Sequence, residues 1–192
     1  MTRRAVTALL LLGLQVYLYG EYAALGAQFH YWLHLLAGTT AGLAVLTTWR
    51  LVRPWTARRV AAHEAAGLGH LVSGVPDVLF LLLGVLHAWW MDVFVLHVRL
   101  HFVPEPLLVG LLAWWVALGA YGLALLGRRR APALLLAGLV VGVGGAVAAA
   151  DLPGSTVDTA ACGAAPPAAS GPWLCPAMAD LCGRAGCGDG CA

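Results

Sequence analysis

The chain has 192 residues, 61% of them hydrophobic and 10% charged, with a mean hydropathy of +0.83, whereas soluble domains carry about 25% charged residues. Eleven basic and nine acidic side chains leave a formal charge of +2, which gives nucleic acid no dense basic face to bind, and the apolar content is too high for a disordered chain. These figures exclude a soluble globular enzyme, a disordered chain and a nucleic-acid-binding protein, and they make the lipid bilayer the first partner.

A hydrocarbon core of about 30 Å takes about 20 apolar residues in a helix. Five stretches meet that length, at 5–27, 31–52, 76–102, 107–127 and 133–150. The first reads as a retained anchor, because its apolar run is long for a cleaved signal and contains Gln15, Tyr17, Tyr19 and Glu21. Between the second and third, 56–74 carries Arg58, Arg59, His63, Glu64 and His70. It is expected to form a cytoplasmic or interfacial helix. Pro76 and Asp77 suit the first turn of the third span, where Asp77 reads as a helix cap favoured by the dipole.

The expected fold is therefore an all-α integral membrane protein. It has a five-helix transmembrane bundle over 1–150, an extra cytoplasmic or interfacial helix, and a Cys-rich extracytoplasmic tail at 151–192. Nine of the eleven arginines, namely Arg3, Arg4, Arg50, Arg53, Arg58, Arg59 and Arg128 to Arg130, follow or precede spans so that all lie on one side. Basic residues stay in the cytoplasm, which places the N-terminus inside and the C-terminus outside a cell membrane. Gly38 and Gly42 form a GxxxG in span two, as do Gly138 and Gly142 in span five, and Gly119 and Gly122 thin one side of span four.

Ionisable side chains inside a membrane are costly and usually face the bundle interior. Under this topology Glu21, His30, His34, His87, Asp92, His97, His101 and Glu105 gather toward the extracytoplasmic half. His30 and His34 lie one turn apart on a helical face that continues into Gly38 and Ala41, and His97 and His101 repeat the spacing at the end of span three. Two imidazoles one turn apart can converge on an ion while a second helix supplies more. His30, His34, His97 and His101 are thus the expected ligands of a divalent transition metal (Zn, Cu or Fe). Glu21, Asp92 and Glu105 are the carboxylates able to complete the shell or act as general base, although Asp92 can instead pair with Arg99. A haem held by His34 and His87 is the less specific alternative. With seven histidines and no HxxHH run, the pairs do not follow the histidine boxes of membrane desaturases and hydroxylases.

The tail holds Cys162, Cys175, Cys182, Cys187 and Cys191. An extracytoplasmic location favours disulfides, and the odd count leaves one thiol over. The functional expectation is a small membrane metalloenzyme or metal-handling factor. The alternative is a non-catalytic membrane subunit or assembly protein, with structural histidines and a membrane or extracytoplasmic protein partner.

Overall fold

The computed structural model describes residues 2–53, 60–83, 89–97 and 99–150. Every regular element among them is helical: α1 (Arg3–Ala24), α2 (Gln28–Val52), α3 (Ala62–Ser73), α4 (Val75–Leu83), α5 (Pro106–Leu125) and α6 (Arg130–Ala148), with 3-10 turns at Trp89–Val93 and Arg99–Phe102. The five tail cysteines, His87, Arg58 and Arg59 lie outside the described residues.

Four helices, α1, α2, α5 and α6, are long and apolar enough to cross a membrane. The chain therefore has the build of a membrane protein. The continuous span expected over 76–102 does not form, because the described part of that stretch is the nine-residue α4 followed by 3-10 turns. Val95 and Leu96 between those turns adopt φ of 62° and 58°, a left-handed conformation no α-helix can pass through. Hydropathy does not register the left-handed pair, since Val95 and Leu96 are both apolar.

The α1–α2 and α5–α6 connections are closed by a common device. At the end of α1, Gly26 takes φ 69°, Ala27 N–H donates to the Tyr22 carbonyl (2.7 Å) and Gly26 N–H to that of Ala23 (3.1 Å). Gly127 repeats the pattern after α5, with φ 75° and bonds from Arg128 to Leu123 and from Gly127 to Ala124. Both are Schellman closures, in which glycine reaches positive φ without a Cβ clash. The first folds Tyr22 back over the start of α2.

Helix α2 is the central element and packs most extensively on α3 and α5. Toward α5 it meets a helix whose small residues Ala113, Ala117 and Ala120 are buried. Arg50 lies over the Tyr121 ring at 5.0 Å and donates to the Val60 carbonyl at 3.4 Å, so it ties the C-terminal end of α2 to two neighbours. Leu33, Leu100, Val103 and Val147 form an apolar cluster that joins α2, the second 3-10 turn and α6.

Helix α3, expected as a cytoplasmic or interfacial helix, packs closely on α2. Its Gly67, His70 and Ser73 are buried and it runs antiparallel along α2. A Cβ on Gly38 would sit 2.5 Å from the Gly69 carbonyl oxygen and 2.6 Å from the His70 Cα, and one on Gly42 would overlap the Ala65 carbonyl. Backbone meets backbone along this seam, the small-residue contact by which membrane helices associate. The other glycine pairs behave differently: Gly119, Gly122, Gly138 and Gly142 have nothing within 4 Å of a Cβ position. At the foot of α3, Ala61 N–H donates to Glu64 (2.9 Å) and holds that carboxyl below the usual carboxylate range, with Arg3 nearby at 3.8 Å.

Gly38→Ala should therefore force the two backbones apart and destabilise the bundle by about 1–3 kcal/mol, the usual cost of overpacking. Gly142→Ala should stay within about 0.5 kcal/mol of the parent. Unfolding of the two variants in detergent micelles, compared with the parent chain, measures the difference.

Candidate metal centre

The close seam between α2 and α3 runs directly into a polar cluster. Each step of four residues toward the N-terminus of α2 is matched by a step of four toward the C-terminus of α3. Gly42 faces Ala65, and Gly38 faces Gly69. One step further His34 Nδ1 lies 3.1 Å from Ser73 Oγ, and one beyond that His30 Nε2 lies 2.9 Å from Asp77 Oδ1. The chain breaks at Gly74 between α3 and α4, yet the bonds Gly74 N–H to His70 and Val78 N–H to Gly74 carry the helical path across. Asp77 consequently falls on the face that Ser73 began.

His97 and His101 arrive from the segment between α4 and α5, on irregular backbone rather than on one α-helix. Asp92 shapes that segment: it accepts from Arg99 N–H (3.0 Å) and Arg99 Nε (2.8 Å), while Leu96 N–H donates to the Asp92 carbonyl (2.8 Å). The clamp closes a loop in which Val95 and Leu96 are left-handed, and local strain of this kind costs about 1–3 kcal/mol per residue. What it achieves is placement. The His97 ring stacks on His34 at 4.4 Å and 8°, and His101 stacks on His30 at 4.5 Å and 22°.

Four imidazoles from two distant segments are thereby brought together as two stacked pairs. All four are buried, His34 and His97 completely, and one ligand nitrogen from each lies within 4.8 Å of every other. That spacing is close enough to hold a metal ion, and imidazole nitrogens suit zinc, copper, iron and nickel.

Asp77 stands among them. The Tyr22 hydroxyl donates to its Oδ2, His34 Nε2 is 3.3 Å from Oδ2, and His97 Nε2 is 3.4 Å from Oδ1. This carboxylate was expected to be a helix cap, and the structure gives it a further role. It does sit in the first turn of α4, but the side chain is buried and turned toward the histidines. The tautomer of one ring follows from its neighbour. His97 Nδ1 is 3.3 Å from the Ser73 carbonyl oxygen, which only accepts, so Nδ1 carries the hydrogen and the lone pair of the neutral ring is on Nε2. Ser73 thus orients both members of the His34–His97 stack, one through its hydroxyl and the other through its carbonyl. Partners on the far nitrogen of this kind are what fix the orientation of metal-binding histidines.

The other candidates have separate places. Glu21 and Glu105 are exposed, and Glu105 takes φ 48° as the residue preceding α5. Asp92 serves the loop through Arg99. Tyr22, Ser73 and Asp77 were the residues that sequence reasoning missed. Ala65, Gly69, Ser73 and Asp77 do repeat every four residues as a counterpart to His30, His34, Gly38 and Gly42, and that matched periodicity was the available signal.

Comparison of the chain with protein-family models, curated proteins and solved structures finds no match.

Ser73→Ala removes the hydroxyl that His34 Nδ1 contacts in a fully buried position. It should lower stability by about 1–3 kcal/mol, the usual penalty for depriving a buried polar group of its partner, as measured by unfolding in mixed micelles.

Proposed function

We propose that the protein is a multi-pass membrane protein that binds a divalent transition metal through His30, His34, His97 and His101, and that it serves as a small membrane metalloenzyme or metal-handling factor. The observation that carries this reading is the convergence of four buried imidazoles within 4.8 Å of one another. Polar groups inside a helical membrane bundle are expensive, so such a concentration of nitrogen donors beside a carboxylate marks a site of function. The chain's part in the chemistry is to supply neutral nitrogen donors, fix their ring orientation through Ser73, and keep them out of bulk water.

The direct His30–Asp77 and His34–Ser73 contacts support a second reading, a non-catalytic membrane subunit whose histidines are satisfied by protein groups. Metal content separates the two. Full-length protein purified from membranes should carry a stoichiometric divalent metal, and His34→Ala or His97→Ala should each remove most of it, whereas His63→Ala should not. Occupancy should fall on acidification, because protons compete for the imidazole lone pairs that the ion needs. An unloaded parent protein, or unchanged loading in both site variants, would transfer the case to the second reading.

For orientation we propose the N-terminus in the cytoplasm, with the site and the tail at 151–192 on the extracytoplasmic side of the cell membrane. His30 and Arg50 are twenty residues apart on α2, about 30 Å along the axis, so the histidines and the arginine-rich end are separated by roughly one hydrocarbon thickness. Reporter fusions after Arg130 should behave as cytoplasmic and fusions after Ala150 as extracytoplasmic. The opposite result at both points would reverse the orientation.

A further inference from the structure

We propose that Asp77 is itself a metal ligand, making the centre a five-donor site of four histidines and one carboxylate that selects a five- or six-coordinate divalent ion over tetrahedral zinc. The inference rests on the metal-binding reading above and extends it to the ligand set and the class of ion.

The geometry points to this in two ways. Metal–nitrogen and metal–oxygen bonds of about 2.0–2.2 Å place neighbouring donors about 2.9 Å apart around an octahedral ion and about 3.4 Å apart around a tetrahedral one. The Asp77 oxygens lie 2.9, 3.3 and 3.4 Å from the Nε2 atoms of His30, His34 and His97. The carboxylate and three rings are thus within the range of separations of atoms that share one ion, and the number of donors, rather than these spacings, is what favours a coordination above four.

The second argument concerns charge. The Ser73 carbonyl accepts from His97 Nδ1, so in the neutral ring, the form that binds a metal, the lone pair on Nε2 faces a carboxylate oxygen. A lone pair and an anion repel one another at that distance, and in a buried site the repulsion is only weakly screened. A cation shared by both atoms turns the repulsion into two bonds. Asp77 then offsets part of the ion's charge, and the Tyr22 hydroxyl, which donates to Oδ2, anchors the carboxylate from outside.

Five donors exceed the four that structural zinc takes. Imidazole combined with carboxylate suits iron(II) and its five- or six-coordinate neighbours, and an octahedral ion would keep one position for an exogenous ligand.

The test uses metal-free full-length protein in detergent micelles titrated with Co(II), whose visible absorption is strong when tetrahedral and much weaker when five- or six-coordinate. The parent protein should bind one equivalent with weak bands. Asp77→Asn, which keeps the shape of the side chain, should raise the Kd for Co(II) at least about tenfold, since loss of even an outer partner costs 10–100-fold, and should shift the bands. Asp77→Glu should recover part of the affinity, while Tyr22→Phe should leave the bands in place. Strong tetrahedral bands in the parent would overturn the proposal, and this arm does not depend on any variant folding. So would a folded Asp77→Asn with parental affinity and spectrum while His34→Ala abolishes binding, a result that leaves the four-histidine reading intact. Failure of the parent to bind Co(II) would remove both.

Discussion

The approach of α2 and α3 at Gly38 and Gly69 is the constraint on which the rest of the molecule depends. Lipid offers the helices no hydrophobic reason to associate, so their contact relies on surfaces that fit and polar groups that find partners. Without side chains at Gly38, Gly42 and Gly69, the two backbones come within contact distance. Only at that separation can a side chain as short as Ser73 reach His34, or Asp77 reach His30. A wider seam would leave a carboxylate and two imidazoles buried beyond one another's reach.

The rest of the cluster is added around that seam by different means. A glycine turn after α1 brings Tyr22 to Asp77 from one side. The Asp92–Arg99 clamp brings His97 and His101 from another, at the cost of two left-handed residues. α1 itself buries none of its residues and is attached through polar contacts such as Tyr22–Asp77 and Tyr31–Gln15. The apolar helices supply the surroundings, and a few polar contacts determine the geometry.

Much of this was legible in the sequence, and the parts that were not have physical reasons. The apolar lengths of α1, α2, α5 and α6 are read directly from composition, because crossing a bilayer demands a fixed run of apolar residues. The meeting of the two HxxxH pairs was also legible, since His30 and His34 share a face with Gly38 and small residues mark where another helix packs. The broken third span was not, because a left-handed Val95 leaves no trace in hydropathy. The Asp92–Arg99 pair forms as their spacing suggested, but it closes a loop rather than bridging helical turns. Asp77 was obscured by a second valid role: a carboxylate in the first turn of a helix is explained by the dipole alone, and only its register with His30 reveals the other use. The close packing of α3 was not legible because its arginine-rich approach and modest length resemble a surface helix, whereas its buried face is built of glycine, histidine and serine, which hydropathy scales score as indifferent.

The four-residue repeat shared by α2 and α3 also bears on how the chain avoids a wrong alignment. Glycine and alanine rungs are nearly interchangeable, so sliding α3 by one turn would replace one small-residue contact with another and lose little. The polar rungs are not interchangeable. A one-turn slip one way would set Ser73 beside His30 and Gly69 beside His34 and carry Asp77 past the start of α2, and a slip the other way would set Ser73 beside Gly38 and part Asp77 from His30; either separates buried polar partners at a cost of several kcal/mol. The glycines make the seam close but degenerate, and Asp77 with its histidines removes the degeneracy, much as one buried polar residue fixes the alignment of a coiled coil. The same side chains that gather the donor atoms thereby also choose, among the packings that the small residues tolerate, the one in which the donors meet.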